Sequence, residues 1–387
     1  LRCLVGSEMC IRDSYFIECG RHLAFGYVDH PPMIPWLAAL AGIFDHALLA
    51  LRLPAILAGA GTMALVAWLV REWGGGRTAQ LLAGIATLCA PAFLRMGSML
   101  DIPVIEVFVW TAASALVLYT LKTGEQRLWL AVGVVAGIGL LTKHSFLLWG
   151  VGLTIGMLLT PARRHLTTPW PYIGGGLALL IFSPNLWWQI TNDWATAEFL
   201  SGMRQGVLAD IPVSLFLAGQ VLYMQPFALP IWLTGLISLL RRNDERTVFA
   251  WMYLTAHATL MYTGGKPYYA APSYPLLFAA GGVALERVLD LPHRTALRRG
   301  GIATLAITGT LLALLVLPLL PLRWVDTGIE ALLGKIVPPM ALTHDLHAQY
   351  GWREHAEVIT RVYTALPPQQ NAHKQSFSPD RTPKQRR

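Results

Sequence analysis

The chain has 387 residues, of which 54% are hydrophobic and only 13% are charged. Charged residues make up roughly a quarter of an ordinary soluble domain, so this composition excludes a soluble globular protein and indicates an integral membrane protein. The formal net charge of +8 could indicate a nucleic-acid partner, but the basic residues are spread over short loops and the tail. We therefore predict a lipid bilayer as partner and no nucleic acid.

The first segment, residues 1–14, has neither the apolar core of a signal peptide nor a helical stripe. We interpret it as a non-native segment, so we expect the chain to be truncated at its natural N-terminus. Residues 15–50 are predicted to form a first external loop with interfacial helices. The apolar run 33–44 in this loop is too short to span a bilayer and is predicted to lie at the interface.

An acid and an imidazole precede this apolar run, in the sequence Tyr27-Val28-Asp29-His30-Pro31-Pro32. A Pro-Pro step cannot continue a helix from upstream, and it biases His30 toward an extended conformation. The pattern indicates that Asp29 and His30 lie on a loop or at a helix start, at a membrane surface.

About ten apolar runs follow, most of them close to the roughly 20 residues that a tilted helix needs to cross a bilayer. Continuous apolar runs satisfy their backbone in lipid only as helices or closed barrels, and these runs lack the alternating pattern of a barrel. The predicted fold is an all-α polytopic membrane bundle over residues 51–321. The runs are 53–70, 78–94, 102–121, 127–142, 145–160, 172–187, 213–240, 247–262, 270–286 and 301–320.

The basic residues between these runs define an orientation. One set of alternate loops holds about three times as many Lys and Arg residues as the other, and the positive-inside rule places that set in the cytoplasm. The other set of loops holds only Arg95, Lys143, Arg204 and Lys266. These loops are therefore predicted to face outside, together with residues 15–50. Residues 322–387 are expected to form a truncated external segment, with an amphipathic helix over 350–368 and a disordered tail.

Polar residues interrupt apolar sequence at the outer ends of the predicted runs. Asp101 stands just before Ile102-Pro103, which fits either a simple helix N-cap or a site carboxylate. Lys143 and His144 lie in a tight hairpin, where a snorkelling lysine or a binding site would explain them.

A third polar group is Gly264-Gly265-Lys266-Pro267-Tyr268-Tyr269. Its phenols fit an interfacial aromatic belt or a ligand site, and the cation of Lys266 favours a phosphate. Cations and carboxylates collected at the outer face suit a lipid-linked phosphate ester, with the cations binding the phosphate and a carboxylate deprotonating an acceptor hydroxyl.

No P-loop, dinucleotide fingerprint, HExxH zinc motif or GxSxG motif occurs in the sequence. No cofactor is required by the motifs that are present. A divalent metal could bridge Asp101, an upstream carboxylate and a phosphate, although no residue spacing demands it.

These segments resemble the bacterial membrane glycosyltransferases of family 39, which are related to protein O-mannosyltransferases and lipid A aminoarabinose transferases and have the GT-C fold. The likeness extends over about residues 15–368, and it depends on the order and sidedness of several short motifs. The matching segments are Tyr15-Phe16-Ile17, Gly26 to Met33, Arg52-Leu53-Pro54, Asp101-Ile102-Pro103, Leu141 to Ser145, Ser183 to Gln189, and Gly265 to Tyr269 with Pro272 and Tyr274-Pro275.

The resemblance implies an enzyme that moves a sugar from a polyprenyl-phosphate donor to a hydroxyl of a glycolipid or protein, with inversion, at the periplasmic face of the bacterial inner membrane. It implies a catalytic carboxylate at Asp101. The donor phosphate would be bound by His30, Lys143, His144, Lys266, Tyr268 and Tyr269, with Arg204 as a weaker candidate on the long outer loop.

One departure from the family concerns the expected general base. Relatives carry an Asp-Glu pair directly before the residues that match Ser14-Tyr15-Phe16, whereas this chain has Arg12 and Asp13. Arginine cannot accept a proton in this role. Asp13 could substitute, although it belongs to the segment that we interpret as non-native.

Two other classes of protein are alternatives to the enzyme. A transporter or flippase for a lipid-linked or anionic solute would use the same cations, but it would usually show repeated halves and charges near the middle of the membrane. A purely structural scaffold would leave the one-sided cluster of polar residues unexplained. The sequence therefore favours the enzyme and names neither its sugar nor its acceptor.

Overall fold

The computed structural model describes residues 11–44, 47–205, 211–317, 319–333, 357–359 and 361–362, without the side chains of residues 11, 12, 203–205, 332 and 333. Within these residues the chain is helical and contains no strand. The all-α fold that the apolar runs predict is confirmed.

The α-helices follow one another in chain order with short connections. They are α1 (Ile11–Arg21), α2 (Met33–Gly42), α3 (Leu48–Glu72), α4 (Arg77–Leu88), α5 (Pro91–Gly97), α6 (Ile102–Thr123), α7 (Leu128–Thr142), α8 (Leu147–Leu159), α9 (Trp170–Thr191), α10 (Ala195–Gln205), α11 (Val213–Tyr223), α12 (Leu229–Leu240), α13 (Thr247–Thr263), α14 (Tyr274–Leu289), α15 (Thr295–Val316) and α16 (Leu322–Leu333). Short 3-10 helices cover His144–Phe146, Pro161–Thr167, Pro226–Ala228, Pro267–Ser273 and Pro292–Arg294.

Among the described residues, three helices are long and apolar enough to cross a membrane, and six are if each bent pair is one span. The three are α3, α6 and the segment Pro292–Val316. The predicted run 213–240 is two helices rather than one, because the chain turns by 91° between Tyr223 and Pro226. A second bend of 61° separates α4 from α5, where Pro91 begins the new helix.

Residues 15–50, which are predicted to be external, contain α2 and most of α1. The ten-residue helix α2 confirms the short helix predicted for the apolar run after Pro32, and α1 precedes it from Ile11. The amphipathic segment predicted over 350–368 lies mostly outside the described residues. The predicted boundaries of the external and membrane segments stay predictions.

Helix α14 lies at the centre of the bundle, because every residue from Tyr274 to Val283 is buried. It packs against α12, α4 and α3, while α7 packs against α6 and α9, and α13 against α8. Two glycines permit the closest approaches. A Cβ atom at Gly281 would collide with the backbone of Ile231 in α12, and one at Gly133 would collide with Gly174 in α9.

We call the end of the bundle where α6 begins and α7 ends the site end. The opposite end is held by contacts between loops, in which the Glu286 carboxylate accepts from the backbone N–H groups of Gly76 at 2.7 Å and Ala79 at 3.0 Å. Ion pairs join other connections there: Lys122 with Glu72 (2.6 Å), Arg164 with Glu245 (2.6 Å) and Arg298 with Asp290 (2.8 Å).

Candidate functional site

Lys143 is a cation at the site end whose position is fixed by its neighbours. It stands between α7 and the 3-10 helix His144–Phe146, and its Nζ lies 2.9 Å from Oε2 of Glu106. Ser145 Oγ donates to the other carboxylate oxygen of Glu106. The ammonium of Lys143 also lies 4.4 Å from the centre of the Tyr269 ring, at the distance of a cation–π contact. A carboxylate and an aromatic ring therefore fix the position of this charge.

Glu106 was missed by the sequence reasoning. Its side chain is 1% exposed on α6, and it is the only charged residue between Asp101 and Lys122. A carboxylate inside an apolar run is expensive unless it is paired, so its presence alone was a signal of a buried partner. The partner could not be named before the fold brought α6 against α7.

Lys266 enters the site end from a different segment. Gly264 ends α13 in the left-handed region at φ 71°, which redirects the chain, and Lys266 then caps the 3-10 helix Pro267–Ser273 that packs against α6. Within the described part of the chain, the side chain of Lys266 has neither a hydrogen bond nor an ion pair, while its backbone carbonyl accepts from Tyr269 at 3.0 Å. The rings of Tyr268 and Tyr269 are 4.8 Å apart, and Tyr269 contacts Lys143. The structure thus places the predicted Lys266 segment beside the predicted Lys143.

Asp101 is the N-cap of α6. Its Oδ1 accepts from the backbone N–H of Ile102 at 2.8 Å, its side chain is 7% exposed, and Pro103 follows in the first turn. This confirms the capping interpretation, and it puts Asp101 about 7.5 Å along the helix axis from Glu106. A catalytic role for Asp101 stays a prediction.

His30 occupies an aromatic pocket. It is 1% exposed, and the rings of Tyr15, Phe16 and Tyr27 lie 5.6, 5.3 and 5.0 Å from its imidazole. Its Nδ1 lies 2.8 Å from the carbonyl oxygen of Pro31 and must donate there, because a carbonyl only accepts. Nε2 makes no hydrogen bond within the described residues. This nitrogen is the buried polar atom to which a ligand oxygen could bind when the ring is protonated.

Asp29 lies between His30 and Tyr15. Its Oδ1 is 3.7 Å from Nε2 of His30 and accepts from the Tyr15 hydroxyl at 2.6 Å. Burial and the hydrogen bond to Asp29 raise the pKa of Tyr15, so the phenol stays protonated and continues to donate. Asp29 is therefore oriented by helix α1 and supplies negative charge next to the imidazole.

His144 connects the His30 pocket with the Lys143 cluster. Its Nε2 lies 3.1 Å from Oδ1 of the fully buried Asn185 in α9, and the Asn185 amide donates to the carbonyl oxygen of Phe25 at 2.7 Å. His144 is also close enough to His30 for an electrostatic interaction. Helix α9 thereby ties the first loop to the α7–α8 connection.

Asp13 lies away from solvent. Its side chain is fully buried, Nη1 of Arg52 donates to Oδ1 at 2.9 Å, and Nη2 lies 2.8 Å from Oδ2. Arg52 is in the first turns of α3, so this ion pair fastens α1 to the bundle. Its predicted role as a substitute base stays a prediction, as does the phosphate contact of Arg204, whose side chain lies outside the described residues.

No group of three or more His, Cys, Asp and Glu residues that could hold a metal ion is found in the part of the chain that the structure describes. The hypothesis that a divalent metal bridges Asp101, an upstream carboxylate and a phosphate stays a prediction.

Comparisons with known proteins show which family and which fold this chain is similar to. Residues 29–188 match the profile of a family described as dolichyl-phosphate-mannose-protein mannosyltransferase. The structure is similar to that of ArnT from Cupriavidus metallidurans in the apo state, with a TM-score of 0.60 at 20% identity over 84% of this chain and 63% of ArnT. The fold is that of the GT-C membrane glycosyltransferases, as the motifs predicted.

Particular relatives are also similar. The chain is 27% identical over 279 residues to the lipid A galacturonosyltransferase RgtD of Rhizobium johnstonii. This alignment covers 68% of this chain and 57% of RgtD. It is similar to ArnT bound to undecaprenyl phosphate (TM-score 0.61, 17% identity, 87% of this chain and 70% of ArnT). It is also similar to the oligosaccharyltransferase of Archaeoglobus fulgidus (TM-score 0.51, 12% identity, 90% of this chain and 54% of that one).

These comparisons confirm the predicted resemblance to the membrane glycosyltransferases of family 39. The chain spans 57% of the length of RgtD and 63% of apo ArnT.

Proposed function

We propose that this chain transfers a sugar from a polyprenyl-phosphate donor to a hydroxyl group of a glycolipid. The observation that carries the proposal is that three separate segments lie at one end of the bundle: Tyr269 of the Lys266 segment contacts Lys143, and Asn185 joins His144 to the loop that precedes His30. The Lys266 side chain and Nε2 of His30 make no hydrogen bond within the described residues, so the ammonium and a protonated imidazole could each donate to a phosphate oxygen.

The reaction is a single displacement at the anomeric carbon. The acceptor oxygen forms the new bond to this carbon as the bond to the phosphate oxygen breaks, and the configuration inverts. The acceptor proton passes to a carboxylate, for which we propose Asp101, and the leaving polyprenyl phosphate takes the electron pair. Cations placed where this negative charge develops stabilise the transition state more than the ground state.

Asp29 and Glu106 act differently in this proposal. Oδ1 of Asp29 lies 3.7 Å from Nε2 of His30, and we assign it the role of orienting the imidazole toward the phosphate. Glu106 keeps the Lys143 ammonium in place through their ion pair. When the donor binds, the same ammonium also contacts the phosphate. Neither carboxylate needs to contact the sugar.

The relatives support both the donor and the acceptor. ArnT has been solved with undecaprenyl phosphate bound, and RgtD is named as a lipid A galacturonosyltransferase. We therefore propose an undecaprenyl-phosphate-linked sugar as the donor and lipid A or its precursor as the first acceptor to test. The family profile and RgtD are both named as transferases, which favours the enzyme over the alternative of a transporter or flippase.

The site end is proposed to face the periplasm of a bacterial inner membrane. Most loop lysines and arginines belong to the connections at the opposite end, including Lys122, Arg164 and Arg298 in the ion pairs there. The positive-inside rule places such an end in the cytoplasm.

The test uses inside-out and right-side-out membrane vesicles that contain the 387-residue chain, supplied with undecaprenyl phosphate carrying a radiolabelled sugar. The proposal expects the label in a glycosidic product on lipid A, only when the donor is on the periplasmic leaflet, and much less of it with Lys143→Met. Label that crosses the bilayer still attached to the polyprenyl phosphate, with no glycosidic product, would identify a flippase instead.

A further inference from the structure

A buried polar network lies behind the Lys266 segment, and the mechanism above does not use it. It consists of Gln220 on α11, Tyr253 and His257 on α13, and Tyr274 on α14. All four side chains are at most 6% exposed. Polar groups this deep in an apolar bundle are costly unless they bond one another, so their arrangement is specific.

The network is connected through the hydroxyl of Tyr274. This oxygen donates to Oε1 of Gln220 at 3.0 Å and lies 3.2 Å from the Tyr253 hydroxyl and 3.4 Å from Nε2 of His257. Nδ1 of His257 lies 2.9 Å from the carbonyl oxygen of Tyr253, to which it must donate. The carbonyl oxygens of Phe216 and Pro267 only accept, so they fix Nε2 as the donor end of the Gln220 amide, and Oε1 is left to accept from Tyr274.

The other end of the Gln220 amide reaches the site end. With Oε1 held by Tyr274, Nε2 donates to the carbonyl oxygen of Pro267 at 2.9 Å. The backbones are close here, since a Cβ atom at Gly219 would lie 2.5 Å from Cβ of Pro267. Pro267 directly follows Lys266 and stands two residues before Tyr269, whose ring lies over the Lys143 ammonium.

We propose that Gln220, oriented by Tyr274, is a positioning residue that sets the place of Lys266 and Tyr269 relative to Lys143. This inference depends on the proposed function, because it gives the network the task of presenting cations to the donor phosphate. In this proposal Gln220 acts on Lys266 and Tyr269 through Pro267 and contacts no reacting atom, while its second bond, to Phe216, stays within α11. Small displacements of groups that bind a reacting phosphate reduce activity steeply, so a single hydrogen bond at this point has a measurable effect.

The chain offers a matched control for Gln220. Gln225 is also fully buried and also donates from Nε2 to a backbone carbonyl, that of Leu305 at 2.7 Å, but α15 is far along the chain from the Lys266 segment. Gln220→Leu removes the side-chain hydrogen bonds to Pro267, Phe216 and Tyr274, and Gln225→Leu removes those to Leu305 and Thr308. A merely structural role predicts that both variants lower the thermal unfolding midpoint and leave the affinity for undecaprenyl phosphate unchanged.

The experiment measures the Kd of purified protein in detergent for undecaprenyl phosphate, together with KM and kcat for the sugar donor. We expect Gln220→Leu to raise Kd and KM by about tenfold with a smaller change in kcat, and Gln225→Leu to leave Kd unchanged. In a Lys266→Ala background, Gln220→Leu should raise Kd by much less, because the cation that it positions is gone.

A second pair of variants applies if Gln220→Leu does not fold. Tyr274→Phe removes the hydroxyl that orients Gln220, whereas Tyr253→Phe removes a hydroxyl of the same network that does not contact Gln220. Weaker binding in Tyr274→Phe alone supports the inference, and equal Kd values in the two variants overturn it. If the unmodified protein does not bind undecaprenyl phosphate at all, the proposed function fails and the inference with it.

Discussion

The carboxylate of Glu106 lies 2.9 Å from the ammonium of Lys143, although the two residues are 37 positions apart in the sequence. Both belong to the site end, where α6 begins and α7 ends. Because Tyr269 covers the same ammonium, one ion pair joins α6, the α7–α8 connection and the Lys266 segment. Loss of the ion pair should therefore affect stability as well as donor binding.

Glu106→Gln should lower the free energy of unfolding by about 3 kcal/mol, because it leaves a mostly buried lysine charge without its partner. The double variant Glu106→Gln/Lys143→Met should recover much of this loss. Thermal unfolding in detergent measures both effects. Glu72→Gln breaks the more exposed pair with Lys122 at the opposite end and should change the midpoint little. Equal losses in Glu106→Gln and Glu72→Gln would contradict this prediction.

His30→Phe should weaken the binding of undecaprenyl phosphate by about tenfold, because the proposed hydrogen bond from Nε2 to the phosphate is lost while the aromatic packing is kept. Isothermal titration of the purified variant measures this change. The control is His165→Phe, which alters a buried histidine at the opposite end. The prediction is wrong if the affinity of His30→Phe equals that of the unmodified protein.

Asp29→Asn and Asp101→Asn should separate binding from chemistry. Asp29 lies 3.7 Å from the His30 imidazole and is proposed to orient it, so its variant should raise KM for the donor with a modest change in kcat. Asp101 is proposed to accept the acceptor proton, so its variant should lower kcat by about a hundredfold or more while the Kd for undecaprenyl phosphate stays the same. Steady-state kinetics with both substrates varied distinguishes the two patterns. A normal kcat in Asp101→Asn would remove it as the base.

The Tyr15–Asp29 hydrogen bond should persist to high pH. Burial and the neighbouring Asp29 raise the pKa of Tyr15 above the ordinary phenol value of about 10. A raised pKa in the folded state means that this contribution to stability is fully present below the ordinary value and is lost only as the pH rises through the raised one. An ultraviolet titration should show one late-titrating phenol fewer in Tyr15→Phe than in the unmodified protein. An unchanged late phase in that variant would refute the assignment.

Gly281→Ala should destabilise the bundle by about 2 kcal/mol or more, because the new Cβ atom meets the backbone of Ile231 and forces α12 away from α14. Gly175→Ala is the matched control, since a Cβ atom there would have no neighbour within 4 Å. Thermal unfolding midpoints of the two variants test the difference, which should be absent if α12 and α14 are not in close contact.

The sequence predicted the helices well at continuous apolar runs, because such a run can satisfy its backbone hydrogen bonds in lipid only as a helix. It failed at the run 213–240, where Gln225 adopts φ 65° and Pro226 starts a new helix after a 91° turn. The signal was Pro226 itself, since proline disfavours helix at the preceding residue. Uniform hydrophobicity on both sides concealed it.

The site could be predicted only in part, for a related reason. Charges at the ends of apolar runs are visible in a sequence, and this brought Lys143, His144 and Lys266 into the predicted set. Glu106 and Asn185 lie inside helices, and their importance depends on which other helices they face. That information is tertiary, so only the packing of α6 and α9 against α7 revealed these partners.

The most direct test of the proposed transfer uses purified protein with undecaprenyl-phosphate sugar and lipid A, and measures both products by mass spectrometry. The proposal predicts one glycosylated lipid A for each undecaprenyl phosphate released, and a large decrease of both in Lys143→Met. Donor that remains intact in the presence of folded protein and acceptor, across a panel of hexose, pentose and amino-sugar donors, would contradict it.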